Sequence, residues 1–177
     1  MDPSEKREIL DFLRSGRQAL VDALCGADEA TAGRVPASGG WSILGCVEHV
    51  AISEAYLLTR LQQAQPAAQS LENRAREARF LERATNRARP IDAPPLSHPI
   101  GRYATVHEAF AAFDAARTQV VRYVENFHGD LRCWSTDHPM IQGPVNCYEI
   151  LLMIAAHPGR HAKQIVQIRQ ALQSQSQ

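Results

Sequence analysis

The sequence predicts an all-α protein: an up-down-up-down four-helix bundle with a long crossover between the second and third helices. Three observations carry this. Four segments repeat apolar residues at the helical period, none alternates as a half-buried strand would, and one proline-rich connection is longer than the rest. The 177 residues suit a single domain, 1–177, with one core. Basic and acidic residues balance at 19 each, so net charge favours neither a nucleic-acid nor a membrane partner. Met1–Lys6 lacks the apolar run of a signal peptide, and no stretch is long and apolar enough to span a bilayer. The cysteines Cys25, Cys46, Cys133 and Cys147 are spread too widely for a zinc ribbon or a disulfide framework. A cytoplasmic, reducing location is therefore expected.

The first helix opens on Asp2-Pro3-Ser4-Glu5, which supplies an N-cap, a proline at the first helical position and a glutamate for a capping box. Ile9, Leu13, Leu20 and Leu24 mark its buried face, with Phe12 and Val21 beside it, and Gly26 is the stop signal. A loop follows through Ala37-Ser38-Gly39-Gly40. Trp41 leads into the second helix, with Ser42 as its N-cap and Ile43, Val47, Val50, Leu57, Leu58 and Leu61 as its apolar stripe. Glu54 lies near the centre of that stripe and His49 at its margin. A glutamate is rarely buried unpaired, so Glu54 is either an ion-pair partner for a neighbouring helix or a catalytic carboxylate.

Gln65-Pro66 ends the second helix. Leu71–Arg89 holds six arginines against three glutamates and reads as a short polar helix or a cover over the bundle end. Pro90, Pro94, Pro95 and Pro99 make Arg89–Gly101 an extended connector. The third helix starts at a Thr105…Glu108 box and carries Val106, Phe110, Phe113, Val120, Val121, Val124 and Phe127 on one face. Arg117 falls in the middle of that face. A buried arginine needs a carboxylate, and Glu54 is the candidate; the alternative is that Arg117 reaches a cavity and holds an anionic substrate group. Asn126–Pro144 reads as a loop.

The fourth helix runs from about Val145 to Gln173, with a frayed tail beyond it. Ile150, Ile154, Ile165, Ile168 and Leu172 form its stripe, and His157 and His161 sit in the middle. Two imidazoles on a buried face, one turn apart, are either a satisfied core histidine plus a rim histidine, or ligands of one divalent ion. Pro158-Gly159, directly after His157, predicts a kink or a break.

Two stretches carry a family resemblance. Trp41-Ser42-Ile43-Leu44-Gly45-Cys46-Val47-Glu48-His49-Val50, continuing to Glu54, and His157-Pro158-Gly159-Arg160-His161-Ala162-Lys163-Gln164-Ile165 resemble the motifs of the DinB/YfiT-like superfamily of metal-binding four-helix bundles. The resemblance implies that His49, His157 and His161 bind one divalent metal. Zinc or nickel is the first expectation and iron or manganese the second. It also implies a reaction class, because relatives include S-transferases that use low-molecular-weight thiols.

Three neutral imidazoles leave the ion an open position, where a bound thiol loses its proton. The leading expectation is therefore a metal-dependent enzyme that activates such a thiol for S-transfer to an electrophilic small molecule. Arg117 or Arg160 would anchor a carboxylate, Trp41 and Tyr56 would line the pocket, and Gln164 would orient a ligand or lie partly exposed. Alternatives are a hydrolase that uses hydroxide generated at the metal, and a non-catalytic metal- or ligand-binding stress protein acting through dimerisation. The expected partners are a small-molecule substrate and a second copy of the chain in a homodimer.

Overall fold

The structure, a computed structural model, describes residues 2–88, 92–138 and 140–175, with the side chains of residues 83 and 84 left aside. Arg89 and Pro90, placed in the extended connector by the sequence, lie outside the described residues. The elements in order are α1 (Pro3–Leu24), a short α2 (Glu29–Ala32), α3 (Ile43–Gln62), β1 (Gln65–Pro66), α4 (Arg74–Thr85), α5 (Val106–Asn126), β2 (Trp134–His138), β3 (Ile141–Asn146) and α6 (Cys147–Ser174). The four long helices α1, α3, α5 and α6 are those the periodicity predicts. Their caps are the predicted ones at α1, α3 and α5: Asp2, Ser42 and Thr105 each accept a backbone N–H of the first turn. Gly26, at φ 71°, turns the chain away after α1.

The direction of the helices differs from the expectation. One apolar cluster joins the first half of α1 and of α6 to the second half of α3 and of α5; the other joins the complementary halves. Hence α1 and α6 run parallel, and α3 and α5 run parallel to each other and opposite to them. Around the bundle α1 packs on α6 and α5, and α3 packs on α5 and α6. The order is up-down-down-up, not up-down-up-down. Apolar periodicity fixes which face of a helix turns inward and is blind to its direction. The long connection from α3 to α5 carries the chain back along the bundle, so α5 re-enters at the end where α3 began.

A polar layer separates the two clusters. Arg117 on α5 donates from Nε and Nη2 to the two carboxylate oxygens of Glu54 on α3, at 2.5 and 2.9 Å. Its Nη1 donates to the Leu13 carbonyl on α1 at 2.6 Å, and Nη2 also reaches the Ile154 carbonyl on α6 at 3.0 Å. One side chain thereby ties all four helices. Ile154 is four residues before Pro158, whose missing N–H would otherwise have bonded that carbonyl. The helix does not break: α6 stays α-helical through Pro158 and Gly159. Gly16 faces the same layer, where a Cβ would stand 2.2 Å from the Ala155 carbonyl oxygen, so a glycine allows α1 and α6 this close approach.

The region read as a loop before the last helix forms a hairpin. β2 pairs antiparallel with both β1 and β3, and Pro144 sits on the edge strand, where a missing N–H costs no ladder bond. The helix behind it starts at Cys147 with a capping box between Asn146 and Glu149. The arginine-rich stretch is the expected short polar helix, exposed on its outer side and held to the rest of the chain by ion pairs. Arg76 grips the fully buried Glu149 at 2.5 Å, and Glu77 meets Arg132 at 2.7 Å. The first pair docks α4 on α6 and the second ties it to the turn before β2, and Phe80 lines the same cavity as the histidines.

Candidate metal centre

His49 projects from α3, and His157 and His161 project from one face of α6. Their Nε2 atoms converge: His157 Nε2 lies 3.1 Å from His49 Nε2 and 3.0 Å from His161 Nε2. His49 and His161 are buried and His157 is half-buried. The proline after His157 leaves this spacing intact, because the backbone stays helical on both sides.

Each outer imidazole is fixed through its far nitrogen. His49 Nδ1 meets the Ser97 carbonyl at 2.6 Å, and a carbonyl only accepts, so Nδ1 carries the proton. His161 Nδ1 meets Gln164 Oε1 at 3.0 Å. Arg87 Nη1 donates to that same oxygen at 3.0 Å, which orients the amide and makes His161 Nδ1 the donor. Both Nε2 atoms therefore present lone pairs. His157 Nε2 has at most one proton to share between them, so protein hydrogens alone cannot satisfy the cluster. A shared cation does. Two nitrogens each about 2.1 Å from one ion stand roughly 3.0–3.4 Å apart across right-angled to tetrahedral arrangements. The donor set fits a divalent ion.

Electrostatics agree. Burial pushes the His49 imidazole down to about 4, with the Ser97 contact pulling partly the other way. Burial, then the neighbouring imidazoles and Arg160, hold His157 and His161 well below the ordinary imidazole range. All three are neutral and ready to ligate near pH 7.

Glu48 fixes the connector that supplies Ser97. It is buried beside His49 and faces away from the cluster. Its carboxylate accepts the backbone N–H groups of Ile100, Gly101 and Arg102 at 2.9, 3.1 and 3.0 Å. Pro95 opens the tight turn that presents the Ser97 carbonyl to His49.

The cluster lies at one wall of a cavity of about 650 Å³. Trp41 stands against His161 in a stacked arrangement, with ring centres 6.0 Å apart, and tilts over His49 at 4.6 Å. Tyr56 and Gln164 also line the cavity, as does Arg160. Arg117 does not; its guanidinium is spent on Glu54 and two backbone carbonyls, so the anion-anchor reading of Arg117 gives way to the ion-pair reading. Glu54 is likewise taken up by that pair. Phe80, Arg87, Asp92, His98, His138, Met140 and Met153 complete much of the lining. These come from α4, the connector, the hairpin and the first half of α6. Met153, one turn before His157 on α6, is placed by helical spacing alone; no sequence signal tied the others to the histidines.

The comparisons with known proteins bear on this arrangement. The profile of the DinB superfamily matches residues 13–165, a span that includes all three histidines. The chain belongs to the DinB superfamily. Among solved structures, it is similar to TT2238, described as a four-helix bundle protein, with 23% identity over 90% of this chain and 96% of that one, at a TM-score of 0.55. It is also similar to YfiT from Bacillus subtilis, with 15% identity over 98% of this chain and 90% of that one, at a TM-score of 0.60. YfiT is described as a probable metal-dependent hydrolase with an unusual four-helix bundle topology. At these identities the two structures establish a shared fold. No curated protein matches the chain. Among the described residues, this DinB-superfamily protein has no helix long and apolar enough to cross a membrane.

Proposed function

We propose that this DinB-superfamily protein is a metal-dependent enzyme that joins a low-molecular-weight thiol to an electrophilic small molecule. The observation that carries the proposal is the set of three converging Nε2 atoms at the wall of a cavity sized for a small molecule. His49, His157 and His161 would hold the ion, with Ser97 and Gln164 fixing two of the rings. When bound, a divalent ion supplies Lewis acidity at its remaining positions and lowers the pKa of a thiol or water held there. The chain's own part is to position and shield. Trp41 closes one side over the histidines, and Tyr56, Leu57, Phe80, Met140, Ile141 and Met153 form apolar wall that keeps water from competing with the thiol.

Hydrolysis is the second reading, supported by Asp92, the one carboxylate among the described lining residues. A hydrolase wants a carboxylate as general base beside the attacking water. Glu48 and Glu54 are both engaged elsewhere, and Asp92 is exposed on the connector. Thiol transfer needs no such base and is therefore preferred.

Protein purified without chelator should carry close to one divalent ion per chain, and His49→Ala should lose it. With metal loaded, consumption of an electrophilic test substrate should require both added thiol and His49. Turnover in water alone would transfer the assignment to hydrolysis. A site that stays empty under metal supplementation would end the proposal.

A further inference from the structure

The cavity also carries a charge pattern that the metal does not use. Arg87 and Arg160 both line it, against the lone carboxylate of Asp92 among the described lining residues. Arg160 is 8% exposed and donates to the Asn86 carbonyl. Arg87 is half-buried, and among the described residues no carboxylate lies within ion-pair distance of it. Its Nη atoms meet the neutral side-chain oxygens of Gln164 and Gln167 at 3.0 and 3.2 Å. Its Nε is buried with no partner, the one such side-chain atom among the described residues. Each Nη keeps a second N–H beyond its glutamine bond, and a planar guanidinium with such donors, lining a cavity with surplus positive charge, is the arrangement that receives a carboxylate. A bound dication would add to that surplus. Tyr56, Leu57, Phe80, Met140, Ile141 and Met153 meanwhile offer an apolar surface, so a fully polar anion such as free phosphate would leave most of the cavity unmatched.

We infer that Arg87, with Arg160, forms a subsite for the carboxylate of a small acid with an apolar body, whose other end meets the three histidines. The inference rests on the reading of the cavity as a substrate site, yet it concerns a part of the wall that needs no metal. The carboxylate belongs either to the electrophilic acceptor or to the thiol. Arg87 also bonds Gln164, so it links the subsite to the His161 ring.

The test follows fluorescence of Trp41 in a Trp134→Phe background. 3-Phenylpropionate is titrated against its uncharged amide, in metal-free and in metal-loaded protein. The expected result is a preference for the carboxylate of about tenfold, the worth of a charge-assisted bond over a neutral one, in both forms. Arg87→Gln should abolish the preference while circular dichroism and amide binding stay unchanged, and Arg87→Lys should restore part of it. A preference seen with metal alone and indifferent to Arg87 would mean that the carboxylate ligates the ion, which overturns the subsite. Equal binding of acid and amide both in this pair and in the thiol pair below, or no binding of any of the four probes at millimolar concentration, would overturn it as well.

A second pair, 3-mercaptopropionate and its amide, locates the source. Sensitivity to Arg87→Gln in this pair alone assigns the anion to the thiol; sensitivity in the phenyl pair alone assigns it to the acceptor. Both results support the subsite. If the protein takes up no metal yet the metal-free preference stands, the metal reading fails and the subsite survives.

Discussion

At the scale of single residues, the histidines matter less for being present than for being held in one tautomer. His49 presents its Nε2 lone pair to the cluster because Ser97 claims Nδ1, and Ser97 is in place because Glu48 gathers three N–H groups of the connector. A carboxylate facing three donors is matched to them; an amide is not, since one of its two ends is itself a donor. Glu48→Gln should therefore loosen the connector and free the His49 ring, with no direct contact to the ion lost. Partners that orient ligands are typically worth about 10–100-fold in metal affinity. Chelator competition should show a loss in that range for Glu48→Gln, with helix content preserved. Undiminished affinity would show that the connector is held by other means.

At the scale of elements, α6 spans a defect that another helix repairs. Pro158 removes the partner of the Ile154 carbonyl, and Arg117 on α5 supplies a donor. Arg117→Leu strips Glu54 of its counter-charge inside the core, where loss of one partner costs about 3–5 kcal/mol. In a Pro158→Ala background the backbone N–H returns, so the Ile154 carbonyl is no longer orphaned when Arg117 is removed. The loss should then shrink by about 1 kcal/mol, the net worth of one hydrogen bond. Urea unfolding of the four variants in a double-mutant cycle measures this coupling. Equal losses in both backgrounds would show that the carbonyl contact contributes nothing.

The same elements show what could be read before the structure. The pairing of His157 with His161 is legible because helical geometry alone places residues four apart on one face. The Arg117–Glu54 pair is legible because a charge in an apolar stripe demands its opposite. The partners that tune the site are not legible: Ser97 is 48 residues from His49, and Arg87 is 77 from Gln164. Contacts at that range depend on the path of the crossover, and helix direction depends on the same path. The hairpin is local and was hidden instead by Gly143-Pro144, which reads as a breaker within what is an edge strand.

At the scale of the whole molecule, the buried histidines couple folding to pH and to metal. In the folded chain the His49 imidazole is held down to about 4, against an ordinary value of 6.5. Between those two values the unfolded chain binds the extra proton and the folded chain does not, so the unfolded state gains. The stability contributed by a neutral His49 is thus complete above pH 6.5 and is lost as pH falls toward 4. His49 alone is worth about 3 kcal/mol across that window, and His157 and His161 act in the same direction. Thermal unfolding of the metal-free protein should therefore be flat above pH 6.5 and fall steeply below it. His49→Asn, which has no proton to gain, should show a shallower fall, and the difference between the two curves removes the contribution of acidic side chains. Metal at about a hundredfold excess over its Kd should raise stability by about 2.7 kcal/mol at neutral pH. That gain should persist below pH 6.5, because protons compete poorly for imidazoles held so far down, and disappear as pH nears 4. Identical acid slopes for wild type and His49→Asn would mean that the ring is solvated and protonates freely, and a solvated ring would not be the one described here against Ser97.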